Sequence, residues 1–281
     1  MRVIVTGAKG FVGKRLLGEL ARCGHETAAI DVGDRIDALA GRWDVMYNLA
    51  WRGKGGTERA DFNVQMSNVK AALDYYSAAV RLGCSRYVCP GTIGEKMVSL
   101  PECSKIKSEN FVYAISKNYL HSLLSALEHE SCRVVWAVLG NLYGGADSGG
   151  NIIDWTIARI LAGEVARFGP AAQPYDFIHV DDAARALALL GVCENPASGE
   201  YYVGCGKPKP LGEYLLEVGR LAGRPELIGI GRRPDDGTRY RAEWFDISPL
   251  SRETGFMPEI DFSAGVGALV RGIIGGDRTD G

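Results

Sequence analysis

The chain has 281 residues, 46% of them hydrophobic, with 32 Lys and Arg against 34 Asp and Glu for a formal net charge of -2. This balance describes a globular protein with one large core or two modest ones, and it excludes a polybasic binder of nucleic acid or anionic membrane. Apolar runs too short to span a bilayer, no signal-peptide pattern, and seven cysteines without a CxxC pair lead us to expect a cytoplasmic protein without a disulfide framework.

Val3, Ile4 and Val5 form a β-branched run that reads as a buried strand, stopped at Thr6-Gly7. A helical pattern then begins at Phe11 and continues through Val12, Leu16, Leu17 and Leu20. Gly7, Gly10 and Gly13 cross this junction at three-residue spacing. One permits the turn, one lets a pyrophosphate approach the backbone, and one lets helix and strand pack closely. The helix N-terminus adds free N–H groups and a partial positive charge. Three glycines alone are a weak signal, and a merely tight turn is the competing reading. Their place between a strand and a helix decides for dinucleotide binding.

Glu26 to Ile30 reads as a second strand ending in Asp31. An acid there would hydrogen-bond an adenosine ribose and repel a 2′-phosphate, which favours NAD. Asp34 or Asp37 can share the role and Arg35 can tolerate a 2′-phosphate, so NADP is not excluded. The gap from Asp31 to the next strand is too short for a full helix and strand. That strand is Asp44 to Leu49, ending at Ala50-Trp51. Phe62 to Leu82 carries Val69, Leu73, Tyr76 and Val80 at helical spacing and stops at Gly83. Arg86 to Cys89 is a strand that opens at Pro90-Gly91 into Thr92 and a polar loop. Asn110 begins a second long helix with Tyr113, Lys117, Leu120, Leu123, Leu124 and Leu127, and Arg133 to Leu139 is a further strand. The alternation predicts an α/β fold of the Rossmann type, a doubly wound parallel sheet.

Past Tyr143 the texture changes. Gly144 to Gly150 is glycine-rich, Ile152 to Leu161 helical, Tyr175 to Val180 a short strand, and Asp181 to Val192 a helix with an acidic start. Tyr201 to Val203 reads as one more core strand, and Leu211 to Leu221, Leu227 to Ile230 and Ala264 to Ile274 form a small mixed region. The expected organisation is a dinucleotide-binding domain over 1–143, to which 176–206 returns. A smaller interleaved substrate-binding lobe is expected from 144–175 and 207–281.

Tyr113 and Lys117, four apart on one helix, share a face. The bland reading is a half-buried tyrosine beside a solvated lysine. Thr92 argues otherwise, because it sits just past a strand's C-terminal end, on the sheet edge that also carries the glycine loop. A tyrosine needs its pKa lowered by about 3 units to act as a base at neutral pH, roughly 4 kcal/mol. One cation at about 4 Å supplies on the order of that amount if burial does not oppose it too strongly. Lys117 is the expected cation, and Thr92 would orient the substrate oxygen. The histidines His25, His121, His129 and His179 lack ligand spacing, and no metal is expected.

Together these residues resemble the short-chain dehydrogenase/reductase superfamily, most closely its extended branch, the NAD-dependent epimerase/dehydratase family acting on nucleotide sugars. Thr6-Gly7-x-x-Gly10-x-x-Gly13 resembles the cofactor signature and Tyr113-Ala-Ile-Ser-Lys117 the catalytic pair, with Thr92 as their partner. Asn63-Val64, the segment Phe177 to Asp182 that joins the lobes, and Asp246-Ile247-Ser248 also resemble family motifs. The resemblance implies cofactor contacts at Gly7, Gly10, Phe11, Val12, Gly13, Asp31, Leu49, Ala50, Tyr113 and Lys117. It implies substrate contacts at Thr92, Asn141, Asn151 and Arg233, with Asn151 and Arg233 on a sugar diphosphate and His179 structural. Asn48 and Trp51 depart from the family's usual His and small residue. Ile93 and Gly94 replace the acidic pair of the 4,6-dehydratases, and Gly94 also replaces the Cys of the 3,5-epimerase/reductases. Tyr175 stands where an Arg is frequent.

The implied activity is NAD(P)-dependent hydride transfer at C4 of a nucleotide-linked hexose, as an epimerase or a 4-ketoreductase. The rivals are a non-catalytic NAD(P)-sensing binder and a reductase of a non-nucleotide ketone. The two long helices resemble those that pair in family homodimers, so a homodimer is expected.

Overall fold

The computed structural model describes residues 1–31, 34, 36–53, 56–101, 103, 109–145, 151–193 and 199–276. Arg35 and residues 146–150 of the glycine-rich segment lie outside them.

Six parallel strands form the central sheet: β1 (Arg2–Thr6), β2 (Glu26–Ile30), β3 (Val45–Asn48), β4 (Arg86–Thr92), β5 (Arg133–Leu139) and β10 (Gly199–Val203). Their order is β10-β5-β4-β3-β1-β2, so the chain steps to opposite sides of β1 on reaching β2 and β3. That reversal opens a crevice at the carboxyl ends of β1 and β3, where this architecture binds ligands. Val3, Ile4 and Val5 are fully buried, as a strand covered on both faces requires.

One face is covered by α1 (Phe11–Arg22) and α5 (Val180–Val192), which bury Leu16, Leu20, Leu187 and Leu190 against Val5 and Val88. The other is covered by α2 (Phe62–Arg81) and α3 (Glu109–Leu127), through Val69, Ala72, Tyr76, Leu120 and Leu124. The Asp61 carboxylate caps α2 by accepting from Val64 N, which explains why the helix starts there. A third apolar cluster joins Tyr143, Ile157, Phe177, Leu215 and Val266 from α4 (Ile152–Leu161), α6 (Leu211–Leu221), α8 (Phe262–Gly276) and short strands. Asp182, near the start of α5, accepts from the backbone N–H groups of Glu259 and Ile260 at 3.0 and 2.8 Å, which ties the Phe177 to Asp182 segment to the late part of the chain.

Four expectations need correction. First, β4 does not end at Cys89 but continues through Pro90 and Gly91 to Thr92, so Thr92 is the last strand residue. Pro90 is tolerated because pairing with β3 ends at Val88, leaving β5 as its only neighbour. Second, the following segment is a 3-10 helix, Ile93–Ser99, rather than an open loop. Third, the expected strand Tyr175 to Val180 is broken at Asp176. Tyr175 belongs to β8 (Pro174–Tyr175) and pairs with Lys209 of β11 (Lys209–Pro210), whereas β9 (Phe177–His179) pairs with β6 (Asn141–Tyr143). The buried Asp176 carboxylate fixes the break by accepting from Tyr202 Oη and Gly206 N, both at 2.9 Å. Fourth, α5 begins at Val180, with His179 capping Asp181 N at 3.3 Å, a structural role as expected. The remaining short strands are β7 (Ala166–Arg167) and β12 (Ile228–Gly229), and α7 (Ser248–Thr254) completes the helices. No described helix is long and apolar enough to cross a membrane.

Candidate active site

The crevice is built by close approach of backbone. Gly7 has φ +66°, and a Cβ there would lie 2.7 Å from Leu49 C and Ala50 N. A Cβ on Gly13 would lie 2.3 Å from Gly7 O, so α1 can reach β1 only because this residue has no side chain. Gly10 donates to Gly7 O at 3.0 Å and stands at the N-cap of α1 with no side-chain cap, which leaves the first turn's N–H groups open to an anion. Phe11 is buried and Val12 partly so at the head of that helix. The strand ends are tied by Thr6 Oγ1, which donates to Asn48 Oδ1 at 2.7 Å and accepts from Ala50 N at 3.3 Å. Asn48 therefore joins β1 to β3.

Asp31 closes the other side. Its Oδ2 accepts from Lys9 N at 2.7 Å, which sets the carboxylate over the glycine loop, and its own N–H donates to Asp34 Oδ2 at 2.8 Å. Asp34 thus supports Asp31. Asp37 instead pairs with Arg81 at 3.2 Å on the surface of α2, so it does not share the Asp31 position.

Tyr113 and Lys117 lie on α3, but the ammonium is directed elsewhere. Lys117 is 4% exposed; its Nζ donates to Pro90 O at 2.8 Å and stands 3.6 Å from the centroid of the Trp51 ring, but 5.8 Å from that of Tyr113. Trp51 meets Tyr113 edge-on, with centroids 5.9 Å apart at 87°. Among the described residues the cation nearest the Tyr113 ring is Arg59, whose Cζ is 4.0 Å from the centroid. The charge that chiefly favours the phenolate is therefore that of Arg59 rather than the expected Lys117. It corrects the expected direction of the pKa as well. Burial pushes the Tyr113 phenol up to about 12, opposed chiefly by Arg59, and burial brings the Lys117 ammonium down to about 8. Thr92 borders the same space. A Cβ on Gly94 would lie 3.8 Å from Thr92 Oγ1 and 3.5 Å from the Cβ of Ala114, the residue after Tyr113. Gly94 N lies 3.4 Å from Thr92 Oγ1 and donates to it.

Behind this group is Glu95, 2% exposed, with Oε1 accepting from Trp136 Nε1 at 2.8 Å. A Cβ on Gly91 would lie 2.4 Å from that indole nitrogen, so the glycine makes room for the bond. Burial pushes the Glu95 carboxyl up to about 7. His121 stacks on Trp136 with centroids 4.5 Å apart, and its Nδ1 is 3.9 Å from Glu200 Oε2. Glu95, His121 and Glu200 offer ligand atoms within 4.8 Å of one another, but Glu200 is already paired with the Lys96 ammonium.

The substrate candidates fall in two places. Asn141 holds β6 to β9, its N and Nδ2 donating to Asp176 O at 3.2 and 3.3 Å. Asn151 caps α4, its Oδ1 accepting from Ile153 N and Asp154 N at 2.9 and 3.0 Å. The exposed Arg233 has its Cζ 5.8 Å from the ring of Trp155 on the same helix, so Asn151 and Arg233 both lie at α4. A cavity of about 480 Å³ lies between Leu100, Gln173, Arg239, Tyr240 and Arg241. It is not lined by Thr92, Tyr113 or Lys117, but Tyr240 packs on the cluster containing Ala114.

Residues 3–204 match the family model described as the NAD dependent epimerase/dehydratase family. The chain belongs to this family. Its members are NAD-dependent enzymes of the extended short-chain dehydrogenase/reductase type. NAD suits the crevice described above, where a cradle that any Cβ would fill, an uncapped helix start and the Asp31 carboxylate are the groups that would hold it. A dTDP-glucose 4,6-dehydratase from an Actinoplanes strain is 32% identical over 169 residues, 57% of this chain and 50% of that protein, so the match spans half of that relative's length. A 2-alkyl-3-oxoalkanoate reductase from Stenotrophomonas maltophilia is 22% identical over 96% of this chain and 98% of its own. The solved UDP-glucose 4-epimerase of Thermus thermophilus, in complex with NAD, has a TM-score of 0.73 at 21% identity, with 98% of this chain and 99% of that one covered. At that identity the likeness is one of fold.

Within this member of the epimerase/dehydratase family, two neighbours of Tyr113 and Lys117 escape a reading from sequence. Arg59 reads as one surface charge before α2, and Glu95 as part of a polar loop. Trp51 is visible only as a departure from the family pattern.

Proposed function

We propose that the protein moves a hydride at C4 of a nucleotide-linked hexose, as a 4-epimerase or a 4-ketoreductase. The observation that carries this reading is the arrangement of α3 against the end of β4. The Lys117 to Pro90 bond joins the two, with Thr92 at the end of β4 and Tyr113 one turn before Lys117 on α3, which supports a shared site. Tyr113 carries the hydroxyl proton, Thr92 orients the oxygen, and Lys117 holds the nicotinamide ribose. NAD, when bound, supplies the hydride acceptor and donor. Asn151 and Arg233 contact the diphosphate, and the lobe of 144–175 and 207–281 acts as the substrate domain beside a dinucleotide domain of 1–143 and 176–206.

Elimination of water is disfavoured because Ile93 and Gly94 offer no acid, and the acid that follows, Glu95, is buried on Trp136. A non-catalytic binder is disfavoured by the presence of all three reacting side chains. Reduction of a non-nucleotide ketone is the second reading, favoured by the full-length similarity to a 2-alkyl-3-oxoalkanoate reductase.

Affinity for UDP, GDP, CDP and dTDP separates the two, and no affinity for any of them defeats the sugar-nucleotide reading. NAD retained through purification marks the epimerase, whereas turnover that needs added NAD(P)H marks the reductase. Tyr113→Phe should lower kcat by about 10²- to 10⁴-fold. A cytoplasmic homodimer is part of this reading. Phe62 of α2 and Ile115, Tyr119 and Leu127 of α3 are exposed apolar side chains suited to a partner, and a monomer by light scattering at micromolar concentration would remove that part.

A further inference from the structure

A tyrosine that takes up and returns a hydroxyl proton has to visit its phenolate form, and the burial of Tyr113 works against that form. The lysine one helical turn away gives limited help. Its ammonium is engaged by Pro90 O and the Trp51 ring, at 5.8 Å from the Tyr113 centroid. Arg59 is closer, with its Cζ 4.0 Å from that centroid. It is delivered by the 3-10 turn Thr57–Arg59, which leads into α2. A planar guanidinium suits the face of an aromatic ring, which a tetrahedral ammonium fits less well.

We propose that Arg59 is a positioning residue for the reaction, its guanidinium over the Tyr113 ring so that the phenolate is available to accept the proton of the substrate hydroxyl. In that step the hydroxyl O–H bond breaks as the phenol O–H bond forms, and the reverse step returns the proton. The inference rests on Tyr113 being the proton carrier. Among the described residues, the other titratable groups near the ring are Lys117 from α3 itself, Glu95 from the 3-10 helix after β4, and Cys89 from β4. Glu95 and Cys89 oppose the phenolate, and Arg59 favours it. Arg59 also disfavours the Lys117 ammonium, so its removal moves both groups in the same direction, upward.

The test reads the tyrosine itself rather than turnover. The full chain is labelled with 3-fluorotyrosine, and the residue-113 resonance is assigned by its loss in Tyr113→Phe. It is then titrated by fluorine NMR, with and without NAD⁺. Arg59→Met should delay the alkaline onset of the Tyr113 shift by about one pH unit or more, compared at pH values where the other resonances keep their folded positions. Arg59→Lys, which keeps the charge but not the plane, should fall between Arg59→Met and wild type. An onset that is the same in wild type and both variants, with the other resonances unmoved, overturns the proposal. Failure of NAD⁺ to bind the wild type counts against the proposed function instead, because the cofactor-free titration still reads Arg59.

Discussion

Lys117 Nζ donates to the carbonyl of Pro90 at 2.8 Å, so a buried ammonium bolts α3 to the end of β4. The cost of burying it appears as a pKa near 8 against 10.5 for a free lysine. Below pH 8 both folded and unfolded chains carry this proton, and the folded state bears the full penalty, about 3 kcal/mol. Between 8 and 10.5 the unfolded chain binds more protons, so stability rises with pH. Lys117→Met should therefore gain about 1–2 kcal/mol near pH 7, the Pro90 hydrogen bond being lost, and the gain should fade toward pH 10.5. Urea unfolding at several pH values measures this, alongside the loss of turnover expected of the same variant.

Glu95 should show the opposite dependence. Its folded value of about 7 lies above the ordinary 4.5 because burial disfavours the carboxylate. Above pH 7 the folded state carries the ionised group at a cost, and stability rises as pH falls from 7 to 4.5, where the folded chain binds the extra proton. Glu95→Gln keeps an acceptor for Trp136 Nε1 and removes the titration. We expect it to stabilise by up to about 3 kcal/mol at pH 8 and to be neutral near pH 4. A variant with the wild-type pH slope would show that Glu95 is not the source.

Two glycines of α1 should respond in opposite ways. Gly13→Ala places a Cβ 2.3 Å from Gly7 O, a backbone atom that cannot move aside, and should cost about 1–3 kcal/mol along with most NAD affinity. Gly18→Ala meets nothing within 4 Å and should stabilise by about 0.5–1 kcal/mol with NAD affinity unchanged. Thermal unfolding and NAD titration read both variants.

Asp31→Ala removes the carboxylate that accepts from Lys9 N at 2.7 Å. The loop loses a charge-assisted bond and the ribose loses its acceptor, so NAD affinity should fall by about tenfold or more. NADP should suffer less, because the repulsion of a 2′-phosphate goes with the carboxylate. Calorimetric titration of each cofactor into wild type and variant measures the change in their ratio.

Local patterning carried much of this molecule. The strand-glycine-helix junction reads correctly because β1 buries every residue from Val3 to Thr6 and α1 begins at Phe11, so periodicity and glycine placement are local facts. The starts of α2 and α4 are legible for the same reason, since Asp61 and Asn151 cap them through neighbouring N–H groups. The break at Asp176 is not legible, because it depends on Tyr202 and Gly206 reaching back to its carboxylate. Spacing puts Tyr113 and Lys117 on one helical face, but the direction of the ammonium is chosen by Pro90 O and Trp51, on other strands and loops. The place of Arg59 over the tyrosine is likewise decided by how the turn before α2 packs on α3. Sequence alone determined where the central strands and the long helices form. Only tertiary packing decided which charge faces which ring, because those distances are set by side chains from segments that share no periodicity.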